Sequence, residues 1–336
     1  MKTILTMGNI DEMQRHQMLI ENVLQSNSNM VRCCVSKESY EEHVEAILCV
    51  KELYRHRTGH DLEIMLDVAI PKDKDRIVLA EDMELYEGDV VILSTLNDKT
   101  VGGKGKVINT DADISKHEVG DELILGDSLV RIIIEEKFEP NSAKCRVTNQ
   151  YGIIKNGLGI ASKKGCIKTT RGDIYDKCLK LIETIRPECI VLSYVETKDD
   201  VNMLKGKIIT PQYRPLLMAK IETYQAVVNR EEIIECSDQI MIARGCLAVN
   251  VGLENLMHVQ DTIITECNIR QKEVCVASNI FKSLKNQHVP SRTDIVDIAH
   301  MIQKGVNYLV ITDSISRTTR CRELLRYIEL VEKATE

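Results

Sequence analysis

The chain has 336 residues, 43% hydrophobic and 28% charged, which is enough apolar mass for one large globular domain or two of ordinary size. Its formal net charge of −7 argues against general nucleic-acid or membrane-surface binding, because a phosphate-rich partner favours a positive face; a local basic pocket for a small anion stays open. No apolar run approaches the ~20 residues that span a bilayer, and the opening MKTILTMGNIDEMQRH has too short an apolar run for export. The 12 cysteines show no CxxC spacing, so they indicate neither a zinc site nor a dithiol redox centre and read as reduced thiols of a cytoplasmic protein. With no Trp and 2 Phe, the core must be built from Ile, Leu, Val and Met.

Three short apolar strands are predicted in the first seventy residues, at Thr3–Met7, Met30–Val35 and Glu63–Val68. Helical patterns lie between them at Asp11–Gln25 and Glu38–His56, a pace that indicates βα units and a parallel sheet. From Ala69 to about Lys168 no amphipathic helix is evident. Runs at Arg76–Leu79, Asp89–Leu93, Lys106–Asn109, Glu122–Leu125, Leu129–Glu135 and Lys144–Thr148, punctuated by Gly and Asn-Gly, predict an inserted antiparallel β domain. The βα rhythm then resumes with helices at Gly172–Ile185, Thr197–Lys205, Leu256–Arg270, Thr293–Lys304 and Arg320–Lys333. Strands are predicted at Cys189–Ser193, Leu216–Ile221, Gln239–Ala243, Glu273–Ala277 and Tyr308–Ile311. Eight strands outside the insert, each followed by a helix, fit a closed (β/α)8 barrel at 1–68 and 169–336, with a β lid at 69–168 after the third strand. An open doubly wound sheet is the alternative, but Met7-Gly8-Asn9 is a poor Gly-rich first turn for it.

The stretch Leu216–Val251 concentrates the chemistry. Its first strand ends in Lys220 and Glu222, two positions apart and so on one side of an extended segment. Asn229 is placed to cap a brief helix through Glu235. The second strand ends in Arg244-Gly245, where a turn can bring amide groups to an anion. A phosphate or carboxylate ligand with a divalent cation would suit this arrangement. A structural ion pair beside a turn glycine would suit it equally, and spacing alone leaves both readings open.

Several segments taken in order resemble pyruvate kinase: Lys2–Gly8 (KTILTMG), Val31–Ser36 (VRCCVS), Ile64–Asp67 (IMLD), Ser193–Val201 (SYVETKDDV), Met218–Glu222 (MAKIE), Met241–Val249 (MIARGCLAV), Lys272–Ser283 (KEVCVASNIFKS) and Pro290–Ala299 (PSRTDIVDIA). The resemblance runs from residue 2 to about 315 and implies a TIM barrel whose site lies at the C-terminal strand ends under the lid. The family's C-terminal regulatory domain is not expected here. The implied activity is phosphoryl transfer between phosphoenolpyruvate and ADP with Mg2+ and K+. Lys220 then neutralises the transferring phosphoryl group and the enolate oxygen, where dispersed negative charge needs fixed cations. Arg32 binds the phosphate, and Glu222 is one of two metal carboxylates. Ala243, Arg244 and Gly245 receive the substrate carboxylate through their backbone. Ser278 stands where the family has a threonine and keeps its hydroxyl, and Ser36 and Asp67 match monovalent-cation ligands.

The departures bear on the same chemistry. The second metal carboxylate is Cys246, a soft thiol and a poor Mg2+ ligand. Cys34 and Val68 replace two oxygen-bearing residues of the cation site, and Lys37 stands in the position of a histidine, where its ammonium could substitute for K+. The segment Asp67–Lys74 loses the family's lysine, and Thr312–Ser316 replaces the strand-eight signature. A weakened Mg2+ or Mn2+ site is therefore expected, K+ is not expected to be well held, and ADP or ATP is an optional co-substrate. The expected partner is a small 2-oxo acid or its enol phosphate, with neither nucleic acid nor membrane.

Other features have plainer readings. Cys246 beside Arg244 could be a nucleophile, but no partner His is placed near it, and a lost ligand position filled by a small side chain is the simpler reading. Gly102-Gly103-Lys104-Gly105-Lys106 lacks Walker spacing and reads as a hairpin tip, and Lys163-Lys164-Gly165 as a hinge. His16, His43, His258 and His300 lie in helical segments. The stripe Leu324, Leu325, Ile328 and Val331 should close the barrel, part of it being available for contact with a second copy. A silent binding protein, or a lyase or transferase that uses the enolate site without nucleotide, is the alternative to a kinase.

Overall fold

The computed structural model describes residues 1–8, 13–35, 39–95, 106–126, 130–138, 141–162, 167–170 and 172–335. Ser36, Lys37, Gly102–Gly105 and Lys163–Gly165 therefore lie outside the described residues, as does the predicted entry to the first helix at Asp11. The chain divides into two compact units. One comprises Met1–Pro71, Thr170–Gly245 and Leu256–Glu336, and the other Lys72–Thr169 with Cys246–Asn255.

The first unit is a closed ring of eight parallel strands: β1 Lys2–Thr6, β2 Met30–Cys34, β3 Glu63–Lys74 (its last three residues belonging to the second unit), β4 Cys189–Ser193, β5 Leu216–Ile221, β6 Gln239–Ala243, β7 Glu273–Ala277 and β8 Tyr308–Ile311. Each pairs in parallel with the next, and β8 pairs with β1 to close the ring, so no sheet edge is left in the ring. The interior is filled by Ile4, Met65, Cys189, Val191, Met218, Met241, Cys275 and Val310, small and flexible side chains that do the work of the missing aromatics. Because the strands are buried on both faces they read as continuous apolar runs, which is why β4 to β8 are visible in the sequence with their boundaries.

Helices cover the outside and are stopped and started by local chemistry. Ser39, Thr197 and Ser291 form capping boxes with Glu42, Asp200 and Asp294 at the starts of Tyr40–Thr58, Lys198–Ile208 and Arg292–Gln303, worth about 1 kcal/mol for each cap. In the last helix, Arg320–Thr335, Leu324, Ile328 and Val331 of the expected stripe are buried together with Cys321, while Leu325 is half-buried. His16 and His43 are buried within helices, and the His300 ring meets Asp261 at 2.8 Å.

Two local expectations need correction. Thr223 supplies a side-chain cap after β5, starting Tyr224–Val228; Asn229 stands at the N-cap of Arg230–Cys236 but makes no side-chain cap bond, and its amide donates to the Glu196 carbonyl at 2.8 Å. Arg244-Gly245 is not a free turn but the first turn of the helix Arg244–Val251, which begins directly after β6.

The second unit contains a seven-stranded sheet in which Val90–Thr95 and Lys106–Thr110 pair in parallel and every other pairing is antiparallel. A separate two-stranded ladder joins Met83–Tyr86 to Tyr151–Ile154. Its core is almost wholly aliphatic, with Leu85, Leu93, Ile108, Leu123, Ile132 and Ile134 buried. In chain order it is an insert after the third barrel strand. Lys106, at the edge of the proposed hairpin tip, has a structural role: its ammonium donates to Asp89 at 2.6 Å and to the Glu84 carbonyl at 2.7 Å. No helix among the described residues is long and apolar enough to cross a membrane.

Candidate active site

Parallel strands deliver all their C-terminal ends to one face of a barrel. Arg32 near the end of β2, Asp67 on β3, Lys220 on β5 and Glu222 just beyond β5 meet there. The Asp67 carboxylate is the hub. Its Oδ2 accepts from Arg32 Nε at 2.9 Å and Nη2 at 2.6 Å, and its Oδ1 lies 3.1 Å from Lys220 Nζ. Lys220 Nζ is also 3.6 Å from Glu222 Oε1, which accepts the Tyr194 backbone N–H at 2.8 Å. The Asp67 and Glu222 side chains are 5% and 3% exposed and Lys220 13%, so the four charges are largely withdrawn from water.

Such a set survives only by mutual pairing. Burial alone would lower the Lys220 ammonium, but the carboxylates of Asp67 and Glu222 outweigh it and hold the ammonium above its ordinary range. Burial alone would raise the Asp67 carboxyl, but Lys220 and Arg32 hold it below the usual carboxylate range. Burial pushes the neighbouring Cys34 thiol up more strongly than Arg32 and Lys220 pull it down, so it stays a neutral thiol. Arg32 Nη1 also donates to Thr6 Oγ1 at 3.3 Å, which ties in β1.

A second cluster gathers at the ends of β6 and β7. Arg244 donates from Nη1 and Nη2 to the two oxygens of Asp297, at 2.8 and 3.0 Å, and from Nε and Nη2 to the Ser278 carbonyl, at 3.1 and 3.0 Å. Ser278 has φ +78° and Asn279 φ +58°, a left-handed pair immediately after β7. A side-chain carbon built on Gly245 would stand 3.2 Å from Ser278 Oγ, so a side chain there would crowd the serine hydroxyl by a few tenths of an ångström.

The model of the pyruvate kinase barrel domain matches residues 1–317. The chain belongs to the pyruvate kinase family. It is 28% identical over 327 residues to the pyruvate kinase of Thermotoga maritima, an alignment covering 95% of this chain and 68% of that protein. It is 26% identical over 340 residues to the pyruvate kinase of Thermococcus litoralis, covering 100% of this chain and 69% of the relative. Against pyruvate kinase 2 of Trypanosoma brucei brucei the identity is 24% over 315 residues, 92% of this chain and 62% of the relative. The chain thus spans less than two thirds of the length of some of the pyruvate kinases it matches.

Pyruvate kinases generally use Mg2+, K+ and ADP or ATP, and the residues present fit those ions poorly. Among the described residues no three His, Cys, Asp or Glu side chains group as a metal site. Glu222 offers a hard carboxylate, but the thiol of Cys246 occupies the motif position of the second. For a monovalent ion, both oxygens of Asp67 already face cations, and the Val68 carbonyl accepts Ser193 Oγ at 2.7 Å. Cys34 contributes sulfur where a hard ion needs oxygen.

The structure thus brings Arg32, Asp67, Lys220 and Glu222 together in one cluster, and Arg244, Gly245 and Ser278 in another; Ala243 closes β6 directly before the second. Sequence reasoning missed Tyr194, whose amide fixes Glu222 from φ +49°, and Asp297, which grips Arg244. Asp297 lies inside the recognised PSRTDIVDIA segment, but no local pattern pairs it with an arginine 53 residues earlier.

Proposed function

We propose that the chain binds phosphoenolpyruvate, pyruvate or a related 2-oxo acid and performs phosphoryl transfer or enolate chemistry on it, with turnover well below that of a glycolytic enzyme. The observation that carries this reading is one buried network in which Arg32 and Lys220 meet on Asp67 and Lys220 also reaches Glu222. Arg32 and Lys220 present fixed positive charge to a phosphoryl group and an enolate oxygen, where transition-state charge is dispersed over several oxygens. The amides at the start of the helix Arg244–Val251 suit a carboxylate. The Ser278 hydroxyl, held against Gly245, delivers the proton that turns an enolate into a ketone.

The charge count argues for slow turnover. Two cations and two carboxylates sum to zero, so a dianion gains from Arg32 and Lys220 only as far as it draws them from Asp67 and Glu222. A divalent ion that would restore positive charge has one hard carboxylate and one thiol to hold it. This favours a second reading, a protein that binds the acid without transferring phosphate, or a lyase or transferase that works without nucleotide. Pyruvate formation from phosphoenolpyruvate with ADP, Mg2+ or Mn2+ and K+ separates the two. Slow turnover lost in Lys220→Met supports the kinase reading. No turnover with oxalate still bound supports the second, and neither turnover nor oxalate binding defeats both.

A further inference from the structure

The charge of Arg244 is met within the fold. Both oxygens of Asp297 neutralise it, and its remaining contacts go to a main-chain carbonyl rather than into open space. Its side chain is 10% exposed, and four hydrogen bonds run from three nitrogens to two partners. That fork is specific to a guanidinium, because an ammonium cannot grip a carboxylate on one edge and a carbonyl on the next.

The carbonyl it grips belongs to a residue in a left-handed conformation. Ser278 sits at φ +78° and is followed by Asn279 at +58°, a conformation that a non-glycine residue keeps only where its surroundings over-determine it. The two N–H groups of Arg244 supply that determination, and Asp297, on the helix Arg292–Gln303, anchors Arg244 in turn. The result lies at Gly245, where a side-chain carbon would stand 3.2 Å from Ser278 Oγ and press on the hydroxyl.

We propose that Arg244 is a positioning residue: braced by Asp297, it locks the left-handed Ser278 so that the serine hydroxyl stands against the Gly245 main chain. The proton delivery assigned to that hydroxyl rests on the enolate reading above; the lock itself does not. The two are tested by separate measurements.

The lock is read by hydrogen–deuterium exchange of the full-length chain, followed on peptides covering residues 277–282. Arg244→Lys keeps the charge and loses the fork, Arg244→Met removes both, and Asp297→Asn removes the brace without touching the arginine. In all three, exchange in this segment should accelerate by about tenfold or more while the other strands keep their protection. Unchanged protection there overturns the proposal. So does loosening spread evenly over the barrel, which would mark a merely structural residue.

The consequence is read by NMR as exchange of pyruvate methyl protons with D2O. Arg244→Lys should lower the rate at saturating pyruvate by about tenfold with little change in the half-saturating concentration, and adding Ser278→Ala should cost nothing beyond Ser278→Ala alone. Additive losses mean that Arg244 acts on its own account, and they overturn the proposal. A wild type that exchanges no methyl protons, with the segment loosened as expected, removes the enolate reading and leaves the lock standing.

Discussion

The two ends of the barrel are made from the same eight strands and treat buried polarity differently. At the mouth, Arg32, Asp67, Lys220 and Glu222 put two cations and two carboxylates between the ends of β2, β3 and β5. At the base, Gln239 at the start of β6 donates to Glu273 at the start of β7 at 2.6 Å, and the Tyr308 hydroxyl donates to the same oxygen at 2.9 Å. The Lys2 ammonium lies 5.7 Å from the Tyr308 ring centre, and a hollow of about 150 Å3 opens among Lys2, Met30, Glu63, Leu216, Gln239 and Tyr308. Glu273 is exposed, so the base keeps this shared carboxylate in water and satisfies an amide and a phenol at little cost. The mouth removes four charges from water, where apolar residues of equal volume are often as stable or more so by about 1–4 kcal/mol. A barrel that needed only to pack would not carry them. The difference is the one expected if the proposed chemistry lies at the mouth and the base serves stability, as the direction of the strands suggests.

The hardest test of that contrast is to remove one carboxylate from each end. Asp67→Asn leaves Arg32 and Lys220 buried with only Glu222 between them and should cost about 3–5 kcal/mol in urea unfolding. Glu273→Gln keeps an acceptor for Gln239 and Tyr308 and should cost about 1 kcal/mol or less. Equal losses would erase the distinction. Acid sharpens it. The Asp67 carboxyl is held low in the folded chain by Lys220 and Arg32 against the opposing effect of burial, so its contribution is fully present above its unfolded value and lost as pH falls through the folded one. The stability gap between wild type and Asp67→Asn should therefore stay level from about pH 5 to 8 and close below about pH 4. Lys220 is held high, so its share is complete below its unfolded value near 10.4 and does not erode in this window. A gap that closes near neutrality would mean that another group titrates in the mouth.

A smaller effect is expected where the family motif has changed. Cys246→Asp puts a hard oxygen ligand in place of a soft one, and Mn2+ affinity, followed by its paramagnetic effect on water relaxation, should rise about tenfold or more. Unchanged affinity would mean that residue 246 does not serve the Glu222 ion, and the account of the lost carboxylate would fail with it.

How far these ends could be read from the sequence depends on what kind of interaction builds them. The barrel was legible because strands buried on both faces leave apolar runs, and β4 to β8 keep the boundaries the runs suggest. The strands of the insert were legible in part. Met83–Tyr86 and Tyr151–Ile154 pair across the insert with Tyr86, Tyr151 and Ile153 exposed, and strands of four residues with such side chains on the outer face show little polar–apolar alternation to read. At the mouth, Lys220 and Glu222 announce themselves by their spacing, and the family motif adds Arg32. That Asp67 would be shared by Arg32 and Lys220 was not legible, since it depends on a register that sets Cys34 against Asp67 across two strands. The Arg244 fork was hidden further still: its acceptors are a carbonyl and a helix residue, and a sequence does not display main-chain geometry such as the φ of Ser278.

The smallest expected effect is a null with a positive control. If the internal cations of the mouth have taken over Asp67, and the Val68 carbonyl is committed to Ser193, a monovalent ion has little oxygen left to replace its hydration shell. Replacing KCl by tetramethylammonium chloride at constant ionic strength should change oxalate affinity by less than about twofold. Cys34→Asn combined with Val68→Thr returns two oxygens to the same place, and in that variant K+ should tighten oxalate by about threefold or more. A K+ response already present in the wild type would show that Asp67 gives up one of its internal partners to an outside ion. The mouth would then be a site that exchanges its cations, not one that has replaced them with side chains.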